Sequence, residues 1–136
     1  MLETQTEVAE VIVPIGHQMI IKFSQEKLGH MIKAQMIMEY EDKDIKKVKL
    51  EQLKNIENTA YIRIAGHERV YARGSDEINV SETASIYNVL FDFKPGEVVD
   101  FKDEKNTIVL GISHDFYPYE MILKDHVKEL LRKVLN

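Results

Sequence analysis

Residues 85–93, SIYNVLFDF, carry the clearest structural signal in the chain. Tyr87, Val89, Phe91 and Phe93 alternate with their neighbours at the period of a strand with one buried face. Aromatic and β-branched side chains are also enriched in strands. The stretch therefore predicts a core β-strand, and the segments around it indicate what kind of sheet it joins.

Residues 30–40, HMIKAQMIMEY, fit two structures. As a strand, they place their apolar side chains on one face, namely Ile32, Ala34, Met36, Met38 and Tyr40. Methionine, lysine, glutamine and alanine also favour a helix, which Ser24 would cap. We predict a strand because the alternation is the cleaner pattern.

Further strands are predicted on both sides of these segments, at 7–15, 17–23 and 107–112. The last of them is apolar on both faces, which is typical of a central strand. Between them we predict turns at 41–44 and 94–97, strands at 45–49 and 98–101, and a short helix at 50–57. Pro95 and Gly96 match the central positions of a type II turn.

A helix is predicted at the C-terminal end of the sequence. Pro118 suits a first turn, Glu120 suits the positive end of the helix dipole, and Arg132 and Lys133 suit the negative end. Its apolar stripe comprises Ile122, Leu123, Val127, Leu130 and Val134. The predicted fold class is α+β, a predominantly antiparallel β-sheet or small β-barrel closed by a C-terminal α-helix, in a single domain of residues 1–136.

Composition limits the function. A formal net charge of −5 argues against a duplex-DNA binder, and the lack of cysteine excludes thiolate nucleophiles and thiolate metal sites. The acidic, polar start does not resemble a secretory signal, and no apolar stretch approaches the roughly 20 residues that span a bilayer. We therefore expect a cytoplasmic protein without a membrane segment, cofactor or metal.

Histidines provide the alternative of a small enzyme or metalloprotein. His17, His30 and His67 each follow a glycine, and three imidazoles suit zinc, but their spacing matches no ligand motif. Glycine turns that lead into strands explain the same pairs. His114, beside Asp115, could act as a general base, although serine and aspartate at this point are also common turn residues.

The segment 61–74, YIRIAGHERVYARG, predicts a hairpin. A three-residue turn at 66–68 pairs Ile64 with Val70 and Ile62 with Ala72, which separates apolar from polar side chains. The solvent face then carries two tyrosines and three arginines: Tyr61, Arg63, Arg69, Tyr71 and Arg73.

Arginine forks match phosphates and carboxylates, and arginine with tyrosine is typical of interface hot spots. We therefore predict a non-catalytic binding module whose hairpin face holds an acidic protein partner or a phosphate-bearing ligand. Formation of a homo-oligomer stays open. The alternative to a binding function is that the arginine and tyrosine side chains stack across the strands and only stabilise the hairpin.

The hairpin also resembles a known family. RVYAR at 69–73 and NVSETA at 79–84 are similar to the arginine and Asp/Asn-x-Ser-x-x-Gly elements of PilZ domains, which bind cyclic di-GMP. The resemblance implies guanine contacts by Arg69 and Arg73, with Asn79 and Ser81 in the second element. Ala84 replaces the family's final glycine, so we do not assign the chain to that family. A cyclic-dinucleotide sensor is kept as an alternative function.

Overall fold

The structure is a computed structural model that describes residues 10–13, 18–75 and 77–136. The strands are β1 (Glu10–Val13), β2 (Gln18–Phe23), β3 (Met31–Glu39), β4 (Ala60–Ile64), β5 (Val70–Tyr71), β6 (Arg73–Gly74), β7 (Ile78–Ser81), β8 (Ala84–Asp92), β9 (Ile108–Ser113) and β10 (Pro118–Ile122). The α-helices are α1 (Lys43–Gln52), α2 (Pro95–Lys102) and α3 (Asp125–Val134), and a 3-10 helix covers Ile56–Asn58. Among the described residues, no helix is long and apolar enough to cross a membrane.

The first sheet has the strand order β1-β2-β3-β8-β6, and β7 also pairs with β8. The strands predicted from residues 30–40 and 85–93 are confirmed as β3 and β8, which pair along their full length. Their apolar side chains lie side by side on one face of the sheet, with Ile32 opposite Phe91 and Met36 opposite Tyr87. The alternating pattern of both segments therefore places one face of this sheet in the core.

The second sheet has the order β10-β9-β4-β5. The strand predicted at 107–112 is confirmed as β9, which lies between β10 and β4 and is buried from Ile108 to Ile112. The chain passes from the second sheet to the first at Ala72, whose amide donates to the carbonyl of Ala60. Arg73, the next residue, already pairs with Leu90 of β8.

One hydrophobic core joins both sheets and the helices. Its fully buried side chains include Phe91 from the first sheet, Ile62 from the second, Phe101 from α2 and Leu131 from α3. Every strand pairing among the described residues is antiparallel. The α+β class with a C-terminal helix is therefore confirmed, and within the described ranges the two sheets stay open and form no closed barrel.

Two predicted strands are helices in the structure. The segment 45–49 belongs to α1, which begins early because the side chain of Asp42 accepts a hydrogen bond from the amide of Ile45 at 2.8 Å. The segment 98–101 belongs to α2, where the Glu97 carboxylate accepts from the amide of Lys94 at 2.7 Å. In both cases the carboxylate satisfies an amide at the start of the helix. The short helix predicted at 50–57 instead begins at Lys43 and ends at Gln52, with a 3-10 helix at Ile56–Asn58, and the predicted turn at 94–97 is wrong because α2 begins there.

The C-terminal helix is present but starts at Asp125, later than predicted. Pro118 opens strand β10 at the edge of the second sheet, where a residue without an amide proton is tolerated. Ile122 ends that strand with 65% of its surface exposed, so its place in the apolar stripe was wrong. The other four members, Leu123, Val127, Leu130 and Val134, are buried.

The hairpin exists with a different register. Ile62 pairs with Val70 and Tyr61 with Tyr71, so the connection covers residues 65–69. Gly66 has a φ of +84°, which glycine adopts at low cost, and the amide of His67 donates to the carbonyl of Ile64. The shift from the predicted register is an even number of residues, so the side chains of β4 and β5 keep their predicted faces. The predicted strand at 7–15 is described only for residues 10–13.

Candidate functional site

A single row of residues crosses the outer face of the second sheet. Tyr71 lies opposite Tyr61, Tyr61 lies opposite Gly111, and Gly111 lies opposite Glu120. The row therefore brings together residues from four strands that are far apart in sequence. Among the predicted site residues it includes both tyrosines, and it adds a glycine and a glutamate.

Gly111 makes room for the ring of Tyr61. A Cβ atom at this position would overlap the Cζ, Cε2 and hydroxyl oxygen of the tyrosine. The ring lies across the glycine and is 2% exposed, although the sequence predicted Tyr61 on a solvent-facing surface. Its hydroxyl donates a hydrogen bond to Oε2 of Glu120 on the far side of the glycine.

Two arginines flank this tyrosine in different ways. A guanidinium nitrogen of Arg63 lies 3.2 Å from Oε2 of Glu120. The guanidinium carbon of Arg69 lies 4.2 Å from the centroid of the Tyr61 ring, and one of its nitrogens donates to the Tyr71 hydroxyl at 3.1 Å. In the described part of the chain, no carboxylate oxygen lies within 4.0 Å of the Arg69 guanidinium.

The proton between Tyr61 and Glu120 belongs to the tyrosine. Burial and the nearby carboxylate raise the pKa of the Tyr61 phenol above its ordinary value. The hydrogen bond from Tyr61, with Arg63 close by, lowers the pKa of Glu120. Glu120 is therefore a carboxylate at neutral pH, and its charge is already matched by Arg63 and the phenol. The positive charge of Arg69 is left facing outward.

An open cleft of about 520 Å³ adjoins the exposed guanidinium of Arg69. Tyr61 and Arg69 line it together with Ser113 at the end of β9, Asp115 in the turn that follows, and Tyr119 and Glu120 of β10. Arg69 thus lines a concavity that also includes the acidic residues Asp115 and Glu120, whereas the sequence predicts only a solvent-facing hairpin surface.

His114 also lines this cleft, but its ring nitrogens are engaged by backbone groups. The amide of Phe116 donates to Nδ1 at 3.2 Å, so Nε2 carries the proton and lies 3.2 Å from the carbonyl oxygen of Lys54. The side chain is buried. His114 therefore ties the β9–β10 turn to the segment after α1.

The histidines considered as a possible metal set lie in separate surroundings. Nε2 of His30 lies 3.1 Å from Asp92, and Nε2 of His67 lies 2.6 Å from Asp100. His17 falls outside the described residues. Among the described residues, no group of three or more histidine, aspartate or glutamate side chains is placed to hold a metal ion.

Arg73 is separated from the other predicted site residues. It pairs with β8 of the first sheet, and its guanidinium lies 3.6 Å from Asp92. The prediction that it shares a surface with Arg69 is wrong because the chain changes sheets at Ala72. Ser81, the described side chain of the second PilZ-like element, accepts from the amide of Thr83 in the turn before β8.

The sequence missed the two residues that shape the site, Gly111 and Glu120. Glu120 was assigned to the first turn of a helix, whereas PYEMI at 118–122 is an edge strand with alternating exposure. In the sequence, Tyr119 and Met121 flank Glu120 with apolar side chains, and this short alternation is the signal that could have placed Glu120 on the outer face. The pairing of Glu120 with Gly111 depends on how two strands align, and no pattern among neighbouring residues in the sequence predicts it.

The fold and the site define an α+β protein with two open antiparallel sheets and an arginine–tyrosine cleft on the second. The chain belongs to the family described as "Protein of unknown function (DUF3501)", which matches residues 28–135. It is similar to a solved structure from Burkholderia pseudomallei, described as a novel protein of unknown function, with 18% identity and a TM-score of 0.77. That similarity covers 92% of this chain and 83% of the other, and it shows the fold. No curated protein matches the sequence significantly.

Proposed function

We propose that this protein is a non-catalytic binding module that holds the phosphate or carboxylate group of a small ligand against Arg69. The observation that carries the proposal is the state of that guanidinium. It is exposed on a concave surface, it stacks on Tyr61, and within the described residues it has no carboxylate partner.

The arrangement favours Arg69 over Arg63 as the anion contact. Arg63 already pairs with Glu120. Stacking and the hydrogen bond to Tyr71 restrict the orientation of Arg69, which lowers the entropy lost on binding. A guanidinium carries five N–H donors, and the bond to Tyr71 uses one of them, so a bidentate contact to an anion is available.

The remainder of the cleft limits the class of ligand. A volume of about 520 Å³ is in the range of roughly 300–1,000 Å³ that small-molecule sites occupy. Ser113, Asp115 and Glu120 also line the cleft, so a ligand with hydroxyl or amino donors beside its anionic group fits best. An acidic side chain of a protein partner presents the same chemistry to Arg69.

Titrations with inorganic phosphate and with citrate test the proposal, followed by nuclear magnetic resonance of the backbone amides. We expect the amide signals of residues 61, 69 and 113 to shift in wild type, with weaker binding at higher salt because the contact is ionic. Arg69→Gln should abolish the shifts. Arg73→Gln is the matched control because it removes an exposed arginine from the other sheet.

The proposal fails if Arg69→Gln stays folded and both probes still shift the same amides with the same affinity. It fails equally if neither probe, nor any member of a set of phosphorylated and carboxylated metabolites, perturbs the cleft in wild type. Loss of binding in Arg73→Gln but not in Arg69→Gln would move the anion site to the first sheet.

A further inference from the structure

Five isoleucines form an unbroken row across the outer face of the first sheet. Ile12 pairs with Ile20, Ile20 with Ile37, Ile37 with Ile86, and Ile86 with Ile78. Since directly paired residues share a face, the row runs through β1, β2, β3, β8 and β7 in turn. With strands about 4.8 Å apart, it is about 19 Å long.

The row lies on the side of the sheet opposite the core. The neighbours of Ile37 along its strand, Met36 and Met38, are both buried, whereas Ile37 itself is only partly covered. Ile12 and Ile78 at the two ends are 64% and 47% exposed. Isolated exposed isoleucines are ordinary, but a continuous apolar row is typical of a surface that another protein surface covers.

We propose that two copies of this chain pack face to face through this isoleucine row, with a two-fold axis along it. Each isoleucine then meets its own copy across the interface, as in a sandwich of two sheets packed about 10 Å apart. This inference concerns the first sheet and is independent of the cleft on the second.

The size of the face agrees with a dimer. The central strands β3 and β8 have nine residues each, whereas β1 and β7 have four, so five strands spaced about 4.8 Å apart give each copy about 500 Å². The two copies together would bury about 1,000 Å², which reaches the roughly 1,000 Å² expected of a specific interface.

The charges beside the row fit the same two-fold axis. Lys22 lies exposed on one flank, opposite Gln35, and Glu39 lies exposed on the other flank, opposite Ala84. Rotation about the row places the Lys22 flank of one copy over the Glu39 flank of the other. Within one chain the two side chains are about 13 Å apart along the strands, so they form no pair there. Glu10 lies opposite Lys22 on the neighbouring strand, so the Lys22 flank also carries one carboxylate.

Sedimentation equilibrium over a wide range of protein concentration tests the dimer. We expect wild type to dimerise and Ile37→Lys to raise the dissociation constant by about 100-fold or more, because two lysines would meet on the axis. Ile122→Lys is the matched control, since it makes the same change at an exposed isoleucine of the second sheet, and it should dimerise like wild type.

A charge exchange tests the orientation and does not depend on the folding of Ile37→Lys. Lys22→Glu and Glu39→Lys should each weaken the dimer about 10-fold, and the double variant should restore it. The proposal is wrong if the wild-type protein is monomeric. It is also wrong if the wild-type protein is monomeric and its isoleucine row binds a different protein. A dimer that both Ile37→Lys and the single charge reversals leave intact overturns it too, as does a double variant with no restoration.

Discussion

Gly111→Ala is expected to disturb the candidate site more than any other single methyl group. The new Cβ would overlap the ring of Tyr61, which is 2% exposed and lies directly over the glycine. The ring must then either leave its position or stay under strain. Both outcomes weaken the stacking surface on which Arg69 lies, so anion binding should fall along with stability.

The expected loss of stability can be worked out for both outcomes, with the ring ejected or with the ring kept in place. Ejecting the ring loses about 2–3 kcal/mol of burial, and keeping it in place costs about 1–3 kcal/mol of overpacking. Replacing glycine with alanine returns roughly 0.5 kcal/mol by restricting the unfolded chain. We therefore expect the free energy of unfolding to fall by about 2 kcal/mol, as measured by urea denaturation.

Gly96→Ala is the control because nothing lies within 4 Å of a Cβ at that position, which is in helix α2. It should be neutral or stabilise by about 0.5–1 kcal/mol. In a double-mutant cycle, Tyr61→Ala should remove most of the cost of Gly111→Ala, since the smaller side chain leaves space for the methyl group. A loss below about 0.5 kcal/mol for Gly111→Ala, or additive costs in the cycle, would refute the packing argument.

Two further predictions test the core and the charge pair. Leu130→Ala should lower the free energy of unfolding by about 2–5 kcal/mol because Leu130 is buried in α3, whereas the exposed Ile122→Ala should change it by less than about 0.5 kcal/mol; equal costs in urea denaturation would contradict this. The pKa of Glu120 is lowered in the folded state by the hydrogen bond from Tyr61, so its stabilising contribution is present above its ordinary value of 4.5 and is lost as pH falls through the folded value. Glu120→Gln should therefore be less stable than wild type at pH 7, and the difference should shrink towards zero at acidic pH; a difference independent of pH would show that the charge is not involved.

The sequence by itself determined the elements whose pattern is local. Alternation in 30–40 and 85–93 was enough to predict β3 and β8, and the apolar run at 107–112 predicted the central strand β9, because the period of side-chain burial is written into successive residues. It also placed the side chains of β4 and β5 on the correct face, since the true register differs from the predicted one by an even number of residues. Local signals failed where two structures compete, as at 94–101, where Pro95 suits the first turn of a helix as well as a turn.

Only the tertiary structure decided which side chains meet. Tyr61 is buried because Gly111, some fifty positions away, lies opposite it with no side chain of its own, and Arg73 leaves the site because the chain changes sheets one residue earlier. The isoleucine row likewise depends on four strand registers at once. Periodicity tells which face a residue occupies, but pairing between distant strands sets its neighbours, and that pairing is determined by how the whole core packs.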